Sequence, residues 1–251
     1  MNSIRRHEKI MEVLLSKREV TVNDLSEQLQ VTGKTIREDL SKLEEQGLLL
    51  RVHGGAILKH PDQLGMLSVK EPHTQHLEDK TSIAARAMKY IAPDDIIALD
   101  GGSTTLEMAR LLDNQPYTVI TNDLYIINTL SAKDQIRLVV PGGYRVRNML
   151  VGVEAIEYIR KLNVQKTFIS ATGVHLEHGL SVYTGDFIEM KRAMIEIAQH
   201  VYAVADHSKF DRTALRTVAP LDELDGIITD GKLPREVYER YTNVGVFIDQ
   251  S

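Results

Sequence analysis

The sequence predicts an α/β protein in two parts: a small three-helix module ending in a β-hairpin, then a larger domain built on a mostly parallel sheet. Three observations predict it. Three short amphipathic stretches, separated by capping residues, precede Gly47. Two apolar runs then flank a turn at His53-Gly54-Gly55. From Lys80 onward, uniformly apolar strand-length runs alternate with helical periodicity. A chain of 251 residues has room for both parts.

Composition narrows the class. A hydrophobic share of 43% and a charged share of 26% are those of a globular protein. The absence of cysteine excludes disulfides, iron–sulfur clusters and thiolate zinc sites. No apolar run is long enough to span a bilayer and no signal-peptide pattern opens the chain, so a cytoplasmic protein without membrane contact is expected. The net charge of −5 argues against nucleic-acid binding only if the chain is one body. Across 1–60 the basic side chains slightly outnumber the acidic ones, so a basic face there has to come from arrangement.

In the first stretch Ile4, Met11, Leu14 and Leu15 share a helical face with Ile10 alongside, which predicts a helix over 3–17. Val20-Thr21-Val22 breaks that pattern. Thr21 then caps a second helix, with Asp24 as the return half of a capping-box-like pair and Val22, Leu25 and Leu29 on its buried side. After the turn Gln30-Val31-Thr32, Thr32 caps a third helix from Gly33, whose core stripe is Ile36, Leu40 and Leu43 and whose stop is Gly47. The tight turn between the second and third helices makes a helix-turn-helix. Lys34, Glu38 and Ser41 fall opposite the stripe, and Thr35, Arg37 and Lys42 flank them. The hairpin, with Leu48–Val52 as one strand and Ala56–Leu58 as the other, is a wing that carries Arg51 and His53 toward a phosphate or the minor groove. The candidate DNA-binding set is therefore Thr32, Lys34, Thr35, Arg37, Ser41, Lys42, Arg51 and His53. Periodicity alone also fits a three-helix interaction module.

Residues 59–79 are polar, carry two prolines and lack a period, and are expected to link a first domain at 1–58 to a second at 80–251. In the second, strands are expected at 96–99, 117–121, 136–140, 167–171, 201–205, 226–229 and 244–248. Helices are expected from Lys80 and near 104–112, 123–131, 153–162, 186–199 and 234–242. Uniformly apolar strands between helices imply a sheet covered on both faces, and ligands bind such sheets at the C-terminal strand ends.

Polar clusters gather at those ends. Asp100-Gly101-Gly102-Ser103-Thr104-Thr105 joins a buried strand to a helix, where glycines, hydroxyls and free N–H groups suit an anion. It lacks the Gly-Lys-Ser/Thr ending of a P-loop and is not GxGxxG; an ordinary capped turn reads equally well. Thr121-Asn122-Asp123, Pro141-Gly142-Gly143-Tyr144-Arg145, Ser170-Ala171-Thr172-Gly173, Glu189-Met190-Lys191-Arg192 and Asp206-His207-Ser208-Lys209-Phe210 follow. Together they fit one anionic, hydrophilic ligand better than six unrelated turns. His175, His178 and His200 read as scattered surface histidines rather than a metal set, and no cofactor is expected.

Arg6-x-x-x-Ile10-x-x-x-Leu14, then Thr32-x-x-Thr35-Ile36-Arg37-Glu38-Asp39-Leu40, then His53-Gly54-Gly55-Ala56 resembles the DNA-binding signature of the deoxyribonucleoside-operon repressor (DeoR) family. Glu38 departs from it, since that position is usually basic or small there; Glu38 either accepts from a cytosine amino group or points away. The patterns at Asp100–Thr105, Thr121–Asn122, Gly142–Arg145 and Asp206–Phe210 resemble the sensor domain of the same family, which is similar in fold to ribose-5-phosphate isomerase. The likeness implies a repressor that binds double-stranded operator DNA as a homodimer or homotetramer and senses a phosphorylated sugar. It also implies that Gly102, Ser103, Thr104 and Thr105 hold the phosphate, with Lys191 as a second charge contact. Asp100, Asn122 and Arg145, with the turn Gly142-Gly143, would line the sugar end. Lys209 is equally readable as structural.

The competing reading is a sugar-phosphate isomerase with an accessory DNA-binding module. Isomerisation needs a carboxylate base beside the substrate carbonyl. The related isomerases carry acidic residues in the turn that here reads Ser170-Ala171-Thr172-Gly173-Val174-His175, without a carboxylate. Asp100 or Glu189 would have to serve, and a non-enzymatic regulator is the expectation.

Overall fold

The structure, a computed structural model, describes residues 2–45, 48–58, 77–183 and 185–251. Its N-terminal part is α1 (Ser3–Lys17), β1 (Glu19–Thr21), α2 (Val22–Leu29), α3 (Gly33–Glu45), β2 (Leu49–Val52) and β3 (Gly55–Leu58). Asn2 caps α1 by accepting from the Arg5 amide, and Thr21 caps α2 by accepting from the Asp24 amide. Ile10, Met11, Leu14, Leu25, Ile36, Leu40 and Leu43 are fully buried and form one core. Ile4, expected on that face, is 56% exposed; the buried face is centred on Ile10 instead. The Leu15 side chain, Gly47 and residues 59–76 of the expected linker lie outside the described residues.

The wing has a third strand that periodicity did not reveal. β1 pairs antiparallel with β3, which pairs with β2, so the order is β1-β3-β2. Only three residues long, β1 is too short to show a period. Its closeness explains Gly55, where a Cβ would stand 2.0 Å from the Val20 carbonyl oxygen. Only glycine lets the two backbones meet there.

The second part opens with α4 (Leu77–Ala87), so 77–79, assigned above to the linker, are the helix's first turn. β4 (Ile96–Leu99), α5 (Ser103–Leu111), β5 (Thr118–Ile120), α6 (Leu124–Leu130) and β6 (Arg137–Val139) follow. A hairpin of β7 (Tyr144–Val146) and β8 (Met149–Val151) leads to α7 (Val153–Ile159) and β9 (Val164–Ser170). Then come β10 (Gly173–His175), β11 (Gly179–Val182), a 3-10 turn at Gly185–Phe187, α8 (Ile188–Glu196), β12 (Ala198–Val204) and β13 (Arg216–Ala219). β14 (Gly226–Ile228), α9 (Arg235–Thr242) and β15 (Ile248–Asp249) complete the domain.

The main sheet is parallel throughout, in the order β15-β14-β12-β9-β4-β5-β6. Separate apolar clusters pack around it, one including α8 residues and Tyr241, the other including α4, α5 and α6 residues. Three expectations change. The helix expected over 186–199 ends at Glu196, because β12 begins at Ala198 and pairs with Val164 in β9. The last strand is Ile248–Asp249, with Val244 and Phe247 exposed before it. β10, β11 and β13 form a second, antiparallel sheet that strand–helix alternation did not announce.

The strand order locates the ligand end. From central β4 the chain winds outward through β5 to β6, then returns to place β9 on the other side of β4. The crevice between the carboxyl ends of β4 and β9 is the switch point, where open parallel sheets bind ligands.

Candidate nucleic-acid interface and ligand cleft

The interface is built on α3. Thr32 Oγ1 accepts from the Thr35 amide at 3.2 Å and lies 3.0 Å from Thr35 Oγ1, which sets the helix's first turn. Lys34, Arg37, Glu38 and Lys42 are exposed, Thr35 and Ser41 half-buried. Arg51 reaches from the wing to α3: its Nη1 donates to Ser41 Oγ at 2.9 Å and its amide to Glu44 Oε1 at 2.8 Å. Wing and helix are thereby fixed as one surface, with His53 exposed at the tip. Glu38 stands in solvent on the same face.

Sequence reading missed what orients α3. Asp39 is buried on its core side, where Arg6 Nε meets Oδ2 at 2.5 Å, Arg6 Nη2 meets Oδ1 at 2.9 Å and His7 Nε2 meets Oδ1 at 2.9 Å. Burial pushes the Asp39 carboxyl up, but the Arg6 and His7 hydrogen bonds outweigh it and hold the group below the usual carboxylate range. The signal was present, since Asp39 is three residues beyond Ile36 and falls within the stripe. The signature residues Arg6 and Asp39 thus join α1 to α3.

At the switch point Asp100 follows β4 and is fully buried. Its Oδ2 accepts from the Ser170 amide at 2.9 Å and Ser170 Oγ at 2.8 Å, and pairs with Lys191 Nζ of α8. Lys191 also donates to the Ser170 carbonyl at 2.9 Å. Asp100 Oδ1 has no hydrogen-bond partner although buried. Gly102 precedes α5, and a Cβ on it would lie 2.7 Å from Ser170 Cβ, so β9 and the α5 N-terminus approach as closely as backbone allows.

Beside this lies a small, partly open cleft with about 330 Å³ of empty space, some of it open to solvent. It is lined by Gly102, Ser103, Thr104, Ser170, Ala171, Val204, Ala205, Asp206, Lys80 and Lys209. Lys80 and Lys209 are more than nine-tenths buried. In the sequence Lys80 marks only the start of a helix, and its place at the cleft is set by the fold. Thr105 is buried with its hydroxyl on the Gly102 carbonyl.

The remaining site candidates stand apart from the cleft lining. Asn122 is buried, its Nδ2 donating to the Leu150 carbonyl at 2.8 Å and its Oδ1 without a partner. Asp123 caps α6, accepting from the Tyr125 and Ile126 amides, and receives Asn148 Nδ2. Burial raises the Asp123 carboxyl to about 6. Gly142 and Gly143 adopt positive φ (81° and 99°) before β7, where Arg145 is exposed. His175 and His178 are not scattered: their rings stack at 4.9 Å, and with Glu177 their ligand atoms lie within 4.8 Å of one another. His200 stands apart, 3.0 Å from Asp225.

Fold and sites define a class: a DNA-binding helix-turn-helix protein with an α/β sensor domain. Residues 6–62 match the DeoR-like helix-turn-helix domain family and residues 75–231 the DeoR C terminal sensor domain family. The chain is 35% identical over 245 residues to the HTH-type transcriptional regulator IolR of Bacillus subtilis, covering 96% of each protein. It is 30% identical over 246 residues to the glycerol-3-phosphate regulon repressor of Escherichia coli, covering 97% of each. Among solved structures it is similar to ribose 5-phosphate isomerase A from Methanocaldococcus jannaschii, with 19% identity, 54% of this chain and 55% of that one covered, and a TM-score of 0.41. The chain belongs to the DeoR family of transcriptional regulators, and these curated relatives are regulators, not enzymes. Among the described residues no helix is long and apolar enough to cross a membrane.

Proposed function

We propose that this protein represses a carbohydrate catabolic operon in the cytoplasm and releases it when a phosphorylated sugar binds at the switch point. The observation that carries the ligand is the α5 N-terminus. Free backbone N–H groups at Gly102–Thr104 share a cleft with two buried lysines, Lys80 and Lys209, and that combination suits a phosphate dianion. The sugar end falls to Asp100, with its unpartnered Oδ1, and to Asn122 beyond it; Arg145 adds charge from outside, and the buried Lys191, held on Asp100, is the second charge contact. A relative named as the glycerol-3-phosphate regulon repressor supports the reading as a repressor in the metabolism of phosphorylated carbohydrate-derived compounds.

On the DNA side Lys34, Thr35, Arg37 and Lys42 of α3 enter the major groove, Thr32 and Ser41 flank them, and Arg51 and His53 of the wing meet the backbone. One such helix reads few base pairs, so a homodimer or homotetramer on repeated half-sites is the functional form. A sugar phosphate that prefers one arrangement of the two parts shifts the equilibrium between arrangements, and operator affinity falls with it.

Thermal shift across a panel of sugar phosphates tests this. A phosphorylated sugar should raise the Tm by mass action and its unphosphorylated counterpart far less. Thr104→Glu should abolish the response by repulsion while operator binding survives, because a carboxylate is tolerated at a helix N-terminus. A wild-type shift in that variant would place the phosphate elsewhere.

A further inference from the structure

The apolar core of the N-terminal part is completed by residues from the sensor domain. Tyr183, directly after β11, is 8% exposed and belongs to the same cluster as Ile10, Met11 and Leu14, as do Ala214 and the half-buried Leu215. Beside them Arg216, opposite Val182 in the β11–β13 register, carries its Nε to within 2.7 Å of Glu8 Oε1 on α1. Glu8 Oε1 is buried and takes no aligned hydrogen bond, so the attraction is ionic. The same guanidinium packs on Gly185, where a Cβ would lie 2.5 Å from Arg216 Nη1. Gly185 opens the 3-10 turn that runs into α8, and α8 carries Lys191, bound to Asp100 at the switch point. On the other side α1 bears Arg6 and His7, which grip Asp39 of α3.

We infer that the β11–β13 face is the contact through which the sensor domain sets the position of α1, and with it α3. Tyr183 is the anchor, Arg216–Glu8 the guide, and Asp100–Lys191 the latch at the far end. The latch rests on the reading of the switch point as the effector site; the docking contact does not. Arg216 is 42% exposed at its side chain, so its ion pair orients more than it stabilises, and the buried Tyr183 ring carries most of the hold. From Gly185 to Lys191 the chain is one 3-10 turn and the first turn of α8, about 1.5–2 Å of rise per residue, with no loop to absorb a shift of Lys191. A ligand that takes Asp100 from Lys191 frees α8, and Gly185 moves under Arg216. Docked and undocked α1 are the two states that both sites bias.

Hydrogen–deuterium exchange on the full-length protein, without ligand, tests the docking. Tyr183→Ala should speed exchange of α1 amides about tenfold and Arg216→Glu a few-fold, leaving β9 and β12 unchanged. Glu8→Arg should restore protection to Arg216→Glu. Because Arg216 and Glu8 lie at the rim, that pair decides the matter even if Tyr183→Ala does not fold. Unchanged α1 exchange in folded Arg216→Glu, or no rescue by Glu8→Arg, overturns the docking. Lys191→Gln should speed exchange both at 185–191 and in α1; faster exchange confined to 185–191 overturns the latch. The thermal-shift panel decides separately whether the cleft takes a phosphate.

Discussion

Asp123 shows how one buried carboxylate sets a pH response. Its folded value of about 6 lies above the ordinary one near 4, because burial disfavours the charge more than its hydrogen bonds from Ile126, Tyr125 and Asn148 favour it. A raised carboxylate costs stability as pH climbs from about 4 through about 6, and the cost stays constant above that; at pH 7 it is of order 2–3 kcal/mol. Asp123→Asn keeps the cap acceptor without the charge. Asn148 Oδ1, buried and unpartnered, becomes the acceptor for the new amide once Asn148 flips. The variant should therefore be more stable than wild type at pH 7.5, by about 1–2 kcal/mol, with the advantage gone by about pH 4. Denaturant melts at both pH values check this; parallel wild-type and variant pH profiles would count against it.

At the scale of elements, α3 has one solvent face and one core face, and the two carry different chemistry. Arg37 is exposed on the first, so Arg37→Ala should leave stability unchanged. It should cost about 1–3 kcal/mol of operator affinity if Arg37 reads a base, or flatten the salt dependence by about one if it meets a phosphate. Titration onto operator DNA at several salt concentrations separates these, and unchanged affinity and slope would remove Arg37 from the interface. The sequence showed α3 and its exposed face because Ile36, Leu40 and Leu43 repeat at helical spacing. It hid Asp39 because a carboxylate in a stripe reads as solvated until Arg6, 33 positions away, is known to face it. The β4 and β5 strands were legible as largely apolar runs, and β6 likewise although it is the half-buried edge strand. The sheet of β10, β11 and β13 was not, since its short strands include Ser181 and Thr217 and β13 joins the β10–β11 hairpin from a distant segment. In the cleft, Gly102–Thr104 could be read from strand-to-helix spacing, whereas Lys80 could not, because only the fold brings the first turn of α4 to the end of β4.

The whole molecule joins two parts of unlike topology, and this has a kinetic consequence. In the DNA-binding part the described ties stay short: Arg6 to Asp39 spans 33 positions, and the Leu58 amide to the Arg18 carbonyl 40. The switch point of the sensor domain forms only when Asp100 meets Ser170 across 70 positions and Lys191 across 91. Parallel pairing over such separations must close large loops before any contact rewards it, and such regions gain structure slowly. Refolding from denaturant should therefore be biphasic: helical signal from 1–58 returns early, and protection of the β4 and β9 amides follows in a slower phase. Stopped-flow circular dichroism with pulse-labelled exchange would measure both, and a single shared phase would show that the parts fold as one unit. During synthesis, at about 5–20 residues per second, the recognition helix emerges many seconds before the strands that build the cleft. A newly made chain thus carries its helix-turn-helix well before Tyr183, Ala214 and Leu215 arrive to complete that part's core.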